Sequence, residues 1–236
     1  MNKLQKMGGI AALIEATTFV IAIALLVTVV APAGYGHLDV DPVQNAAFLA
    51  NNQTLMYLWN LIAYVIFGAF LVVLSLALYA RLKDGSPALA QTATAFGLIW
   101  AGLMFASGMV ANIGAGAIID VYGRDPVQAG AAWLALDFVV GGLGGGNEIV
   151  GGLWVLLLSW AALQTGTLPK ALNYLGLLVS AAGIVTIVPA LGEVGAIFGL
   201  GSIVWFIWLG IVMLRHHPST VTESAEHFSA QLNPTV

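Results

Sequence analysis

The chain has 236 residues, of which 60% are hydrophobic and 8% charged, with a formal net charge of -4. A chain this apolar cannot close over itself as a water-soluble globule of its length, so its surplus hydrophobic surface must face lipid. Cysteine is absent, which removes disulfides, thiolate metal sites and cysteine nucleophiles, and the scattered charge offers no basic stripe for nucleic acid.

Apolar runs of about 20 residues, the length that crosses a bilayer, predict an all-α polytopic membrane helix bundle. Six transmembrane helices are expected, near residues 8–32, 54–80, 89–117, 140–164, 171–191 and 194–214. The first follows Lys3 and Lys6 and ends in Ala31-Pro32-Ala33, the outline of a signal peptide. It outruns the ~7–15 apolar residues of such a segment and carries Glu15, so it reads as a retained first helix. The turns Gly85-Ser86-Pro87-Ala88-Leu89 and Gly166-Thr167-Leu168-Pro169-Lys170-Ala171-Leu172 each offer a hydroxyl near the N-cap and a proline near the first helical position. Gly116-Ala117-Ile118-Ile119 and Gly195-Ala196-Ile197-Phe198 are also alike. Together they outline a repeat of helices two and three as four and five, with a period of about eighty residues.

Pro126 to Leu163 is the least ordinary segment, because as one helix it would run to about 57 Å. Either it projects beyond the outer surface, or it breaks at Gly141-Gly142-Leu143-Gly144-Gly145-Gly146, with residues 127–140 interfacial or re-entrant and a count of seven helices. Residues 1–215 read as a single transmembrane domain. Residues 216–236 are polar and read as a disordered cytoplasmic tail.

With six spans and cytoplasmic N- and C-termini, Lys3, Lys6, Arg81, Lys83, Lys170 and Arg215 lie inside and only Arg124 outside, as the positive-inside rule requires. A seventh span over 126–143 would place Arg124, Lys170 and Arg215 outside, which argues for six. On this topology Asn60, Asn112, Asp137, Asn147, Glu148 and Glu193 fall toward the outer half, and Glu15 alone toward the inner half. Such groups should face one another or a wet cavity, since an ionised carboxylate in hydrocarbon costs at least ~2.5 kcal/mol. Glu148 leads the set because it follows a glycine-rich break, the setting in which broken helices hold ligands.

Trp59 and Trp133 are expected in the outer aromatic belt and Trp160 in the inner one. Trp100, Trp154, Trp205 and Trp208 lie deeper. Carboxylates beside indole faces suit a cationic ligand, so Trp100 and Trp154 join the acids and asparagines as candidate ligand-binding or proton-coupling residues. Ser75, Ser107, Ser159, Ser180 and Ser202 lack a histidine to activate them and are expected to bond to carbonyls one turn back.

Several chemistries are excluded. His37, His216, His217 and His227 all lie outside the spans, so a bis-histidine haem has no ligands. No mid-membrane lysine can hold retinal, and zinc-protease, nucleophile-elbow and P-loop motifs are absent. No cofactor or metal is expected, and no catalytic residue is assigned.

The segments Met7-Gly8-Gly9-Ile10-Ala11-Ala12, Ala90-Gln91-Thr92-Ala93 through Gly97-Leu98-Ile99-Trp100-Ala101-Gly102, and Gly145-Gly146-Asn147-Glu148-Ile149-Val150-Gly151-Gly152-Leu153-Trp154 carry a resemblance to bacterial multi-pass proteins grouped as domain of unknown function 4386. The resemblance implies a bacterial inner-membrane location and six or seven helices, and no activity. Gly8 to Thr18, with Glu15, is also similar to the first helix of small multidrug resistance exporters, in which a glutamate exchanges protons for hydrophobic cations. Those exporters are four-helix dimers, so the likeness is one of local chemistry.

Three readings follow. The first is an outward-opening acidic and aromatic pocket that binds, or transports with protons, a lipophilic or cationic small molecule. The second is an intramembrane enzyme using a carboxylic acid on a lipid or isoprenoid-like substrate, and the third is a structural or assembly subunit. The lipid bilayer is the expected partner, and small residues at four-residue spacing, such as Gly141 with Gly145, allow a homo-oligomer.

Overall fold

The computed structural model describes residues 3–144 and 147–215. The tail expected over 216–236 and the glycines at 145 and 146 lie outside the described residues. The described residues form nine α-helices and no strand: α1 (Lys3–Leu25), α2 (Pro42–Asn51), α3 (Gln53–Asn60), α4 (Phe67–Leu82), α5 (Pro87–Tyr122), α6 (Pro126–Gly142), α7 (Glu148–Thr165), α8 (Lys170–Ile184) and α9 (Gly195–Arg215). Wide π-helical turns at Leu26–Val30 and Leu61–Ile66 extend α1 and join α3 to α4. Tighter 3-10 turns, Val185–Ile187 and Pro189–Val194, link α8 to α9.

Six of the resulting runs are long and apolar enough to cross a membrane: Lys3–Val30, Gln53–Leu82, Pro87–Tyr122, Glu148–Thr165, Lys170–Ile187 and Pro189–Arg215. The protein is a multi-pass membrane helix bundle. The fourth span differs from the expected 140–164, because the chain breaks after Gly142 and the spanning helix begins at Glu148. Residues 126–142 form α6, which folds back along α5 and packs on α2. The length problem is thus solved by a break, and by α5, whose 36 residues reach ~54 Å and stand beyond a ~30 Å hydrocarbon core.

The spans close a ring: α1 packs on α4, α4 on α5, α5 on α7, α7 on α8, α8 on α9, and α9 returns to α1. Lipid is as apolar as a leucine side chain, so close contact rather than dehydration holds such helices together. Glycine supplies that closeness at the α1–α9 seam, where a Cβ on Gly9 would stand 3.2 Å from the Gly210 carbonyl and one on Gly210 would stand 2.9 Å from that of Gly9. At the inner end, Arg81 donates to Gln5 Oε1 at 3.2 Å and to the Thr167 carbonyl at 3.1 Å, tying α1, α4 and the α7–α8 turn together.

The middle of the ring is aromatic. Phe67 meets Trp100 at 5.0 Å between ring centroids, Trp100 meets Trp154 at 5.7 Å, Trp154 meets Trp205 at 5.7 Å, and Trp205 meets Phe206 at 5.3 Å. One is tilted and three are the edge contacts that aromatic quadrupoles favour. One local arrangement occurs twice. Ser75 of α4 and the Trp154 indole N–H of α7 converge over Gly97 of α5, as Ser159 of α7 and the Trp205 indole N–H of α9 converge over Gly176 of α8.

Outside the ring, α2, α6 and the end of α5 form a cap with its own small core, which includes Leu49, Met56, Ile118 and Trp133. Both cap helices begin in Asp-Pro, with the carboxylate accepting backbone N–H and proline at the first helical position. Asp41 accepts from Val43 at 2.9 Å, and Asp125 from Val127 and Gln128 at 3.1 and 3.0 Å. Trp133 is buried here, donating to the Tyr35 hydroxyl at 3.2 Å, so it belongs to the cap core and not to the expected aromatic belt.

Candidate functional site

Two neighbouring cavities occupy the half of the bundle away from Lys3 and Arg215, the half expected to be outer. The larger, about 670 Å³, lies inside the ring between the outer halves of α1 and α9, with the α3–α4 segment, Met104 of α5 and Glu148 of α7 behind. The smaller, about 370 Å³, lies between the ring and the cap and includes Asn60, Tyr35, Trp133 and Asp137. Leu26, Trp59 and Tyr64 border both. The two π-helical turns supply part of these walls, through Leu26, Val27, Ala63 and Tyr64. A π turn displaces side chains from their α-helical register and is common at functional sites.

Glu148 and Glu193 are brought together on the larger cavity. Glu148 opens α7, where the helix dipole favours a negative charge, and its Oε1 lies 3.5 Å from the position a Cβ would take on Gly195 at the start of α9. Glu193, in the 3-10 turn before α9, is exposed. No lysine or arginine lines either cavity, so the pair lacks an internal counter-ion there. The larger cavity thus presents mostly apolar walls with two acids.

Asn147 sets where α7 begins. It is the one non-glycine residue with positive φ among those described, at φ 57 and ψ 34, a left-handed conformation that asparagine tolerates better than most residues. Its side chain is buried, and Nδ2 lies 3.2 Å from Met104 Sδ. Its backbone N–H bonds to the Gly144 carbonyl, where Gly144 has a φ of +119 that effectively requires glycine. Gly144 and Asn147, on the two sides of the break before Glu148, thus each hold a backbone conformation that few residue types accept.

Asn60 donates to Asn112 Oδ1 at 3.0 Å, so these two satisfy each other across α3 and α5. Asn60 borders the smaller cavity with Asp137. Burial holds the Asp137 carboxyl above its usual range. Burial also raises the Tyr35 hydroxyl, with the Trp133 bond acting in the opposite direction and Asp137 adding to the rise.

Glu15, Trp100 and Trp154 line neither cavity. Glu15 is 0% exposed, and both of its carboxyl oxygens lack a hydrogen-bond partner among the described residues. Phe19, one turn outward on α1, does line the larger cavity and packs on Phe67 at 5.4 Å. Of the outer polar residues, Glu148 and Glu193 line the larger cavity and Asn60 and Asp137 the smaller, Asn112 and Asn147 line neither, and Glu15 is enclosed inward of them.

The serines also depart from expectation. Ser180 bonds to the Leu177 carbonyl at 2.8 Å, but the hydroxyls of Ser75, Ser107, Ser159 and Ser202, and the indole N–H groups of Trp100, Trp154 and Trp205, lack partners among the described residues. Among those residues no three of His, Asp and Glu converge as metal ligands would. Sequence reasoning missed Tyr64, Trp59 as a wall between cavities, Gly195 and Phe19. Only the aromatic character of Trp59 gave any advance signal.

These features define a polytopic membrane protein with a six-span ring, an outer helical cap and an acid-bearing cavity within the ring. A family model described as Domain of unknown function (DUF4386) matches residues 7–213, and the chain belongs to that family. No curated protein and no solved structure matches the chain.

Proposed function

We propose that the larger cavity binds a lipophilic small molecule carrying a positive charge, with Glu148 and Glu193 pairing to that charge and the apolar walls holding the rest. The observation that carries this reading is the cavity of about 670 Å³ in which both acids, and no basic side chain, take part. Its volume falls in the range of small-molecule sites, which are mostly apolar with a few placed polar groups. The distribution of basic residues supports an outward-facing cavity, and in this reading the membrane is the bacterial inner membrane. Glu15, the second acid expected to couple protons, is enclosed and lines neither cavity, so binding is the reading that the geometry favours over proton-coupled transport.

The test uses two ions of the same shape and opposite charge, tetraphenylphosphonium and tetraphenylborate, titrated calorimetrically against the protein in nanodiscs. The cation should bind and the anion should not. Replacing both acids, Glu148→Gln with Glu193→Gln, should weaken the cation by about tenfold or more, equivalent to about 1.4 kcal/mol. Equal binding of the two ions, or full affinity in the double variant, would overturn the reading.

A further inference from the structure

We infer that the larger cavity fills sideways from the outer leaflet, through a gap between the outer halves of α1 and α9, so that its ligand is a membrane-dissolved amphiphile: a cationic headgroup on a hydrocarbon chain. This rests on the cavity being a binding site and adds the route and the ligand class.

The geometry of the α1–α9 seam carries the inference. At its inner end the two backbones touch, through Gly9 and Gly210. At its outer end they have parted: a Cβ on Gly199 would meet only Ile23 Cδ1, at 3.7 Å, an ordinary contact at the far tip of a side chain. The cavity lies directly behind that gap, with Ile23, Val27 and Gly199 among its lining residues. The rest of the cavity lining comes from the α3–α4 segment, Met104 and Glu148 behind it, so the outer α1–α9 seam is the side of the cavity that faces lipid. Its margins are apolar and outward-facing, with Val20, Val27, Ile197 and Leu200 each about half exposed or more. A solute arriving from water would find no polar path along these margins, whereas a hydrocarbon chain crosses them without desolvating anything. Glu193, exposed at the start of the same seam, and the half-buried Glu148 both line this cavity. An amphiphile entering chain-first between α1 and α9 would bring its cation to these two acids.

The absence of cysteine makes the gap testable. A double variant, Ile23→Cys with Gly199→Cys, carries the only two thiols in the chain, at positions whose surroundings leave room for them, and a short thiol-to-thiol reagent bridges the gap. The probe is hexadecylammonium with a photoreactive diazirine in its chain, added to nanodisc lipid, and labelled residues are mapped by peptide mass spectrometry. The unbridged protein should be labelled on cavity residues of α1 and α9, and bridging should reduce that labelling to background. Gly199→Trp, a plug that needs no reagent, should do the same. Equal labelling with the gap bridged or plugged overturns lateral entry. No labelling of an unbridged protein that still binds tetraphenylphosphonium through its acids overturns the amphiphile and leaves the binding site standing. Failure of both probes removes the binding site itself, and the route with it.

Discussion

The Trp59 indole N–H donates to the Ala22 carbonyl at 3.2 Å, joining α3 to α1 across 37 positions of sequence. Trp59 also borders both outer cavities, so one side chain ties two spans together and divides the space between them. Trp59→Phe keeps most of the ring while deleting the bond, and should lower stability by about 0.5–1.5 kcal/mol. Trp59→Ala should in addition join the cavities and shift binding toward bulkier cations. Thermal unfolding in nanodiscs, with titration of a graded series of tetraalkylammonium ions, reads both effects.

Asn147 should tolerate glycine and reject β-branched residues. Asn147→Gly keeps the left-handed turn and loses the contact with Met104, whereas Asn147→Val must hold a conformation that disfavours L side chains by about 1–2 kcal/mol. The expected order of melting temperatures is wild type, then Gly, then Val. If Val matched Gly, the turn would not be the element that positions Glu148.

The paired Ser–Gly–Trp arrangements predict a compensating cycle. A Cβ on Gly176 would meet the Ser159 hydroxyl and stand 2.8 Å from Trp205 Nε1, so Gly176→Ala should destabilise by about 1–3 kcal/mol through overpacking. Ser159→Ala removes the nearer obstacle and should recover part of that loss. A double-mutant cycle on unfolding free energy gives the coupling, and strict additivity would mean that the two do not share the space.

Glu15 should behave opposite to an ordinary core residue. Its two oxygens are enclosed without partners among the described residues, and an unsatisfied buried polar group costs about 1–3 kcal/mol. Glu15→Met, similar in volume and without that demand, should therefore raise the unfolding temperature. A drop comparable to other core substitutions would show that the carboxyl has a stabilising partner in the membrane.

Asp137 supplies a pH dependence whose sign can be worked out. Burial raises its folded-state value, so the folded protein holds this proton more tightly than the unfolded chain does, and protonation favours folding. The contribution is favourable below the ordinary aspartate range and is lost as pH rises through the raised folded value. Asp137→Asn should flatten that slope in the weakly acidic range, as read from urea unfolding of the cap at several pH values.

Composition and basic flanks were enough to read a six-span helix bundle, because spanning lipid demands length and apolarity that can be counted. The division of Pro126 to Leu163 into α6 and α7 was legible as a length conflict, but its outcome depended on α6 finding a groove on α5 and α2. The α2 helix was missed although Asp41-Pro42 announces its start, since ten residues of mixed polarity give no membrane signal. Depth along a span placed Glu148 and Glu193 in the outer half, but depth alone does not say which way a side chain points. That is why Asn60 and Asp137 belong to a second cavity, why Trp100 and Trp154 pack in the core, and why Glu15 is sealed away. Burial of Ser75 and Ser159 against tryptophan instead of their own carbonyls is likewise a property of helix neighbours far apart in sequence.

The α1–α9 seam also bears on how the protein is made. The first spanning helix completes its packing only against the last, so during synthesis Glu15 enters the bilayer long before the ring around it is complete. Until α9 arrives, that carboxyl stands in an unfinished bundle. A chain stalled before Gly195 would leave the ring open along one whole side, between α8 and α1.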